Sequence, residues 1–233
     1  MFNHNAIEYK KIAQKGHRQR MCNRLEKQGV ESLQDYEIVE MLLFLAFKRK
    51  DTKTLAKVLL KKFETLSGIL HASKENITAI EGLSSNTYNV FKIVDAITKA
   101  ILKDKIVKKN AVSCFEDVVN YCRINMRQLT IEEVRIIYLK SSGHVIEDEI
   151  IQKGTIDTVE LYTREILRRC IEIGANGIVI VHNHPSYDPL PSPSDIACTK
   201  KVRDACELLN ITLLDHVIIG GDNYVSFRNL LLL

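Results

Sequence analysis

The chain has 233 residues, 45% of them hydrophobic and 27% charged, with a net charge of +4. That is the make-up of a soluble globular protein with room for one large or two small domains. The cysteines, Cys22, Cys114, Cys122, Cys170, Cys198 and Cys206, form no CxxC pair, which excludes a zinc ribbon or disulfide framework and fits reduced thiols in a cytoplasmic protein. The longest apolar run, Met41–Phe47, is far short of the ~20 residues of a membrane span. The N-terminal residues lack the apolar core of a secretion signal.

Charge is spread unevenly. Residues 1–110 carry 21 Lys and Arg against 12 Asp and Glu, a balance of +9, whereas residues 111–233 have a balance of −5. The asymmetry fits two units with different partners, or a first half whose lysines simply solubilise helical faces. That half reads as all-helical, with apolar residues at three- and four-residue spacing near 19–28, 34–47, 52–63, 75–80 and 87–103. Asp35 and Thr52 are the expected caps of two of these helices. Around Gly82 the order helix, tight turn, helix resembles a helix-hairpin-helix, which holds a DNA phosphate on turn amides. Ser84 stands where the second turn glycine is usual, and an ordinary helical hairpin packed on a neighbour is the alternative. The charged stretch Lys103–Asn110 precedes a change of texture, so the expected domains are 1–108 and 109–233.

The second half alternates. Residues 115–125 read as a helix, and 134–139 and 145–151 as a strand hairpin turning at 141–144. A helix over 162–173 precedes the buried strand 177–181, a helix over 195–209, and closing strands over 212–219 and 224–227. The order predicts an α/β domain with a mixed sheet and flanking helices, preceded by the all-α, helix-hairpin-helix-like unit.

All four prolines, Pro185, Pro189, Pro191 and Pro193, follow the apolar run Gly177–Val181 and His182-Asn183-His184. Residues two apart in a strand share a face, so both imidazoles project from the strand's carboxyl end, where open α/β sheets commonly place their sites. A surface histidine pair would look the same. Asp195 adds a third donor. Ser192, Pro193 and Asp195 fit the N-cap, first residue and capping-box carboxylate of a helix, which needs no metal but is compatible with one. Two imidazoles and a carboxylate leave a fourth tetrahedral position for water, as at a catalytic zinc. Such a site also needs a base, and Glu133 is the first choice, with Glu132, Glu147 and Glu149 not excluded. Ser192 is the candidate donor to a developing oxyanion. Cys198, one turn into the helix, reads as packing.

These residues resemble the JAMM motif of the MPN/JAB metalloprotease superfamily: an upstream glutamate, H-x-H-P, then S-x-x-D. HNHPS followed by PSxxD is similar to the bacterial RadC family, and so are Gly154-Thr155, Arg164-Glu165, Asp215-His216 through Gly220, and Val225–Phe227. The resemblance implies an MPN/JAB domain, one Zn2+ per chain on His182, His184 and Asp195, Glu133 as general acid/base and Ser192 as oxyanion donor. It assigns no chemistry to Asp215 or His216, the latter read as a core histidine or a support for a ligand. Tyr187 stands where the family usually has glycine, and Lys140 where aspartate is common. The implied activity is hydrolysis of a peptide or isopeptide-like bond in a protein or peptide substrate, with no membrane involved. The alternative is a DNA-associated, repair-type protein, a binding module or nuclease engaging DNA through its basic first half, with a vestigial or non-proteolytic metal site. A zinc deaminase would want a P-C-x-x-C partner, which the chain lacks.

Overall fold

A computed structural model describes residues 4–108, 110, 115–154 and 163–233. Cys114, Thr155 and Tyr162 lie outside them. The chain divides into two compact units, Met1–Ile97 and Thr98–Leu233.

The first unit is helical: α1 (His4–Gln28), a 3-10 turn (Val30–Ser32), α2 (Asp35–Ala46), α3 (Lys53–Phe63), α4 (Leu66–His71), α5 (Lys74–Thr78) and the beginning of α6 (Ser85–Lys108). Val39, Leu43, Ala56, Leu59, Ile69, Ile77 and Phe91 form its core. The cap of α2 is Gln34, paired reciprocally with Glu37, and not Asp35. Thr52 makes no side-chain cap on α3; Asp51 instead accepts from the Lys53 N–H at 3.1 Å. At the hairpin between α5 and α6, Gly82 has φ 87°, and the Lys50 ammonium donates to its carbonyl at 2.8 Å.

The two compact units meet inside α6, and Leu102 and Ile106 near the end of that helix pack into the second unit's core. That unit continues with α7 (Phe115–Met126), β1 (Glu133–Leu139), β2 (Val145–Lys153), α8 (Thr163–Ile173), β3 (Gly177–Asn183), α9 (Pro193–Glu207), β4 (Thr212–Gly220) and β5 (Asn223–Ser226). The sheet order is β2-β1-β3-β4-β5. Among the described strands only β3 and β4 pair in parallel, and α9 is the crossover between them. No described helix is long and apolar enough to cross a membrane, and none of the five described cysteines is in a disulfide.

Strand alternation sorts the core into two layers. Ile137, Leu139, Val179, Val181, Val217 and Ile219 face α7 and its Val118, Val119, Cys122 and Met126. Val134, Ile136, Tyr138, Ile178, Ile180 and Leu213 face α8 and α9, meeting Ile166, Cys170, Val202 and Cys206. Cys198 packs at the edge of this second layer.

One irregularity matters for function. Ile178 pairs with Leu213, but Val179 pairs with Asp215, so Leu214 is an extra residue in β4. A bulge inverts the side-chain parity beyond it. It places His216 beside Ile180, on the α9 face, where an unbroken ladder would have turned it toward α7.

The proline loop is seated on the turn that follows β4. A Cβ at Gly220 would stand 2.6 Å from the Pro189 nitrogen and 2.7 Å from the Tyr187 oxygen. Backbone atoms cannot swing aside as a side chain does. Gly220→Ala is expected to lower stability by ~1–3 kcal/mol, the usual cost of overpacking; urea unfolding with an unchanged midpoint would show that the loop is not held there.

Candidate metal centre

His182 is nearly the last residue of β3, at the carboxyl end of a run of strand residues that are all buried. His184 follows one residue later, and its N–H continues the parallel ladder by donating to the Ile219 carbonyl at 2.8 Å. Asp195 enters from α9. Ser192 is the N-cap, Pro193 opens the helix, and Ser192 and Asp195 form a reciprocal capping box, as their spacing predicts.

The three side chains converge. Nε2 of His182 lies 3.0 Å from Nε2 of His184 and 3.4 Å from Asp195 Oδ1. Nε2 of His184 lies 3.6 Å from Asp195 Oδ2. Among the described residues this is the one His/Cys/Asp/Glu group whose ligand atoms all lie within 4.8 Å of one another. His182 and Asp195 are buried and His184 is partly exposed, which leaves one open side.

The hydrogen bonds say which atoms carry lone pairs. Nδ1 of His184 is 2.8 Å from the Asp188 carbonyl, and a carbonyl only accepts. Nδ1 therefore bears a hydrogen, and in the neutral ring the lone pair at Nε2 turns inward. On Asp195, Oδ2 accepts from the Ser192 N–H at 2.7 Å and from its O–H at 2.6 Å, while Oδ1 faces His182. Burial pushes the His182 pKa down to about 4, only partly offset by Asp195. The nearby Asp195 carboxylate lifts His184 above its ordinary 6.5, against burial. Burial opposes ionisation of Asp195, but the proximity of His184 and His182 and its bonds to Ser192 together hold it well below the usual carboxylate range. Two imidazole nitrogens 3.0 Å apart beside a carboxylate are stabilised by a positive charge between them, a proton or a metal cation. The donor set, two nitrogens and one oxygen, is one zinc accepts.

Ser192 is next to the group, with its hydroxyl hydrogen already given to Asp195. Glu133 is elsewhere. Val134 pairs with His182 across the β1–β3 ladder, so alternation puts Glu133 on the α7 face. Its carboxylate accepts from Arg135 at 3.1 Å and lies 3.4 Å from the Lys153 ammonium. Its backbone N–H donates to Asn183 Oδ1 at 2.9 Å, and Asn183 Nδ2 donates to the Ile131 carbonyl at 3.1 Å. The residue between the two histidines thus clamps the beginning of β1 to the end of β3. Glu147 and Glu149 are engaged with Arg169.

Three features were not read from the sequence. Asn183 was given no role, though a buried amide at a strand end needs partners. Thr199 stands four residues after Asp195, hence on the same helix face, and its hydroxyl lies 2.6 Å from Nδ1 of His216. The third is an ion cluster behind Glu133: Arg135 reaches Asp148 at 2.6 Å, and the Tyr121 hydroxyl donates to the same carboxylate. Asp215, without assigned chemistry, ties backbone together. It accepts from the Ser226 hydroxyl at 2.5 Å and the Arg228 N–H at 3.0 Å. Tyr187 holds φ 64°, a strained left-handed value for a bulky residue.

Residues 112–232 match the model of the RadC-like JAB domain. The UPF0758 protein SPO0054 of Ruegeria pomeroyi is 36% identical over 212 residues, which cover 91% of this chain and 95% of that protein. The chain belongs to the RadC family. Its RadC-like JAB domain contains both histidines, Asp195, Ser192 and Glu133, whereas the helical first unit lies ahead of the matched segment.

Arg135 and Asp148 are both largely shielded, with side-chain exposures of 10% and 2%. Removing Asp148 leaves the shielded Arg135 with only the more distant Glu133 and takes the acceptor from Tyr121. Asp148→Ala is expected to lower the stability of this RadC domain by ~3–5 kcal/mol in urea unfolding; a loss under 1 kcal/mol would mean that solvent replaces the carboxylate freely.

Proposed function

We propose that this RadC-family chain is a zinc-dependent metallohydrolase of the JAMM type that cleaves a peptide or isopeptide-like amide bond. The observation that carries the reading is the convergence of His182, His184 and Asp195 within 4.8 Å, with a lone pair on His184 Nε2 directed inward by the Asp188 carbonyl. Zinc held by these three side chains would polarise the scissile carbonyl and bring the pKa of water to about 7.

The chain's own residues would do the rest. Glu133 takes the proton of the attacking water and delivers it to the leaving amine. To do so its carboxylate leaves Lys153 and Arg135, the partners it has at rest. Ser192 turns its hydroxyl from Asp195 to the developing oxyanion; the Ser192 N–H on the same oxygen keeps Asp195 in place meanwhile. The partly exposed edge of His184 is where an extended substrate reaches the centre.

Two measurements test this. Purified full-length protein is expected to contain close to one zinc per chain by elemental analysis, and His184→Ala almost none. Glu133→Gln is expected to keep the wild-type zinc content while turnover of a peptide library falls by ~10²–10⁴. Negligible metal in both wild type and His184→Ala would remove the enzymatic reading. Unchanged turnover in Glu133→Gln would remove Glu133 from the mechanism and leave the metal in place.

A further inference from the structure

Behind His182 runs a chain of short polar contacts that neither the motif nor the family match assigns. Nδ1 of His182 lies 2.7 Å from Nε2 of His216. Nδ1 of His216 lies 2.6 Å from Thr199 Oγ1. Thr199 Oγ1 lies 2.5 Å from the carbonyl oxygen of Asp195. All three side chains are about 98% or more shielded from solvent, and His216 is stacked on Phe227 with ring centroids 4.5 Å apart.

The direction of this chain follows from its far end. The Asp195 carbonyl has no hydrogen to give, so the single hydroxyl hydrogen of Thr199 lies between the two oxygens. Oγ1 then accepts from His216 Nδ1–H. A neutral His216 with its hydrogen on Nδ1 has a lone pair on Nε2, which accepts from His182 Nδ1–H. His182 is left with its lone pair on Nε2, the atom that faces Asp195 and His184. His184 has its tautomer set in one step, by a loop carbonyl. His182 has no carbonyl behind it and needs two intervening side chains to reach one.

We infer that His216 and Thr199 are positioning residues: they relay the polarity of the Asp195 carbonyl through the sheet and hold His182 in the tautomer whose Nε2 can bind a cation. The inference deepens the metal-centre reading above. It also joins two of the three ligand residues, because the relay starts on the backbone of Asp195 and ends on the ring of His182. A shift of α9 that moved Asp195 would be felt at His182 through hydrogen bonds and not only through packing. A histidine that merely fills the core would not need its hydrogens ordered in this way.

The decisive variants are Thr199→Val, which keeps the volume and removes the hydroxyl, and Thr199→Ser, which keeps the hydroxyl. Full-length metal-free protein labelled with nitrogen-15 in histidine reports the His182 tautomer directly by long-range proton–nitrogen correlation. Wild type and Thr199→Ser are expected to show His182 with its hydrogen on Nδ1. Thr199→Val is expected to show a substantial population with the hydrogen on Nε2. Zinc titration against a chelator is expected to give a dissociation constant ~10–100-fold higher for Thr199→Val than for wild type, with Thr199→Ser within a few-fold, the size usual for partners behind a metal-bound histidine. An unchanged tautomer in a folded Thr199→Val protein overturns the relay, whatever the metal does. Zinc affinity within twofold of wild type in that protein overturns its positioning role. If wild type shows the Nδ1–H tautomer but takes up no zinc, the relay stands and the metallohydrolase reading fails.

Discussion

The parallel ladder between β3 and β4 is where the candidate centre is decided. Its register carries one extra residue, Leu214, and the side-chain parity of β4 beyond that point depends on it. With the bulge, Val217 and Ile219 join the α7-side core and His216 faces α9. Without it, His216 would turn into the opposite apolar layer and Asp215 would take its place behind His182. The bulge has a strong local reason to persist. Asp215 is pinned by the Ser226 hydroxyl and the Arg228 N–H, so the end of the sheet holds the strand in this register independently of any metal.

The same economy appears at α9. The contacts that begin the helix also orient a ligand. Ser192 offers Asp195 two donors on one oxygen, which leaves the other oxygen turned toward His182. An anionic residue in a first helical turn is favoured by the unpaired N–H groups there. The stabilisation of the helix start and the presentation of the carboxylate are therefore one structure, and the cost of holding an ionised Asp195 in a shielded place is offset before any cation arrives. Capping and coordination, compatible readings of Asp195 in the sequence, make no competing demand on it because a carboxylate has two oxygens.

Most elements of the second unit were legible in the sequence, since strands of seven to nine residues and an amphipathic helix carry clear periods. The histidine pair and Asp195 were legible for the same reason: each sits at an element end marked by proline or a cap. The first unit was read less fully. α4 has six residues including Gly68, too few for a helical period to show, and the polar first half of α1 has too few apolar positions. The cap of α2 moved by one residue, and at α3 Thr52 keeps the N-cap position while the side-chain bond comes from Asp51, because any of several adjacent polar side chains can serve there and only the backbone path chooses. What lies behind the centre was hidden for a different reason. Thr199 and His216 are seventeen residues apart, and they meet only because a bulge reverses one strand's parity; no periodicity in a single sequence reports a bulge. The clamp made by Asn183 and the pairing of Arg135 with Asp148 are likewise properties of strand neighbours, not of local pattern.

Glu133 shows how the two faces of one sheet divide the work. Strand alternation sets its side chain on the face opposite His182, beside Arg135, yet its backbone is held to Asn183, the residue between the two histidines. Its two partners differ in kind. Arg135 is shielded and anchored from behind by Asp148 and Tyr121, so that contact is costly to break. Lys153 has a side-chain exposure of 57%, and an exposed ion pair contributes at most about 1 kcal/mol. A carboxylate at the first residue of a strand has no preceding strand residue to confine it, so a turn about the strand end gives up Lys153 at little cost and Arg135 at a larger one. The clamp at Asn183 keeps the pivot of that motion fixed relative to the histidines. The proposed role of Glu133 at the centre therefore requires a turn about that backbone anchor, opposed chiefly by the ion cluster behind Arg135.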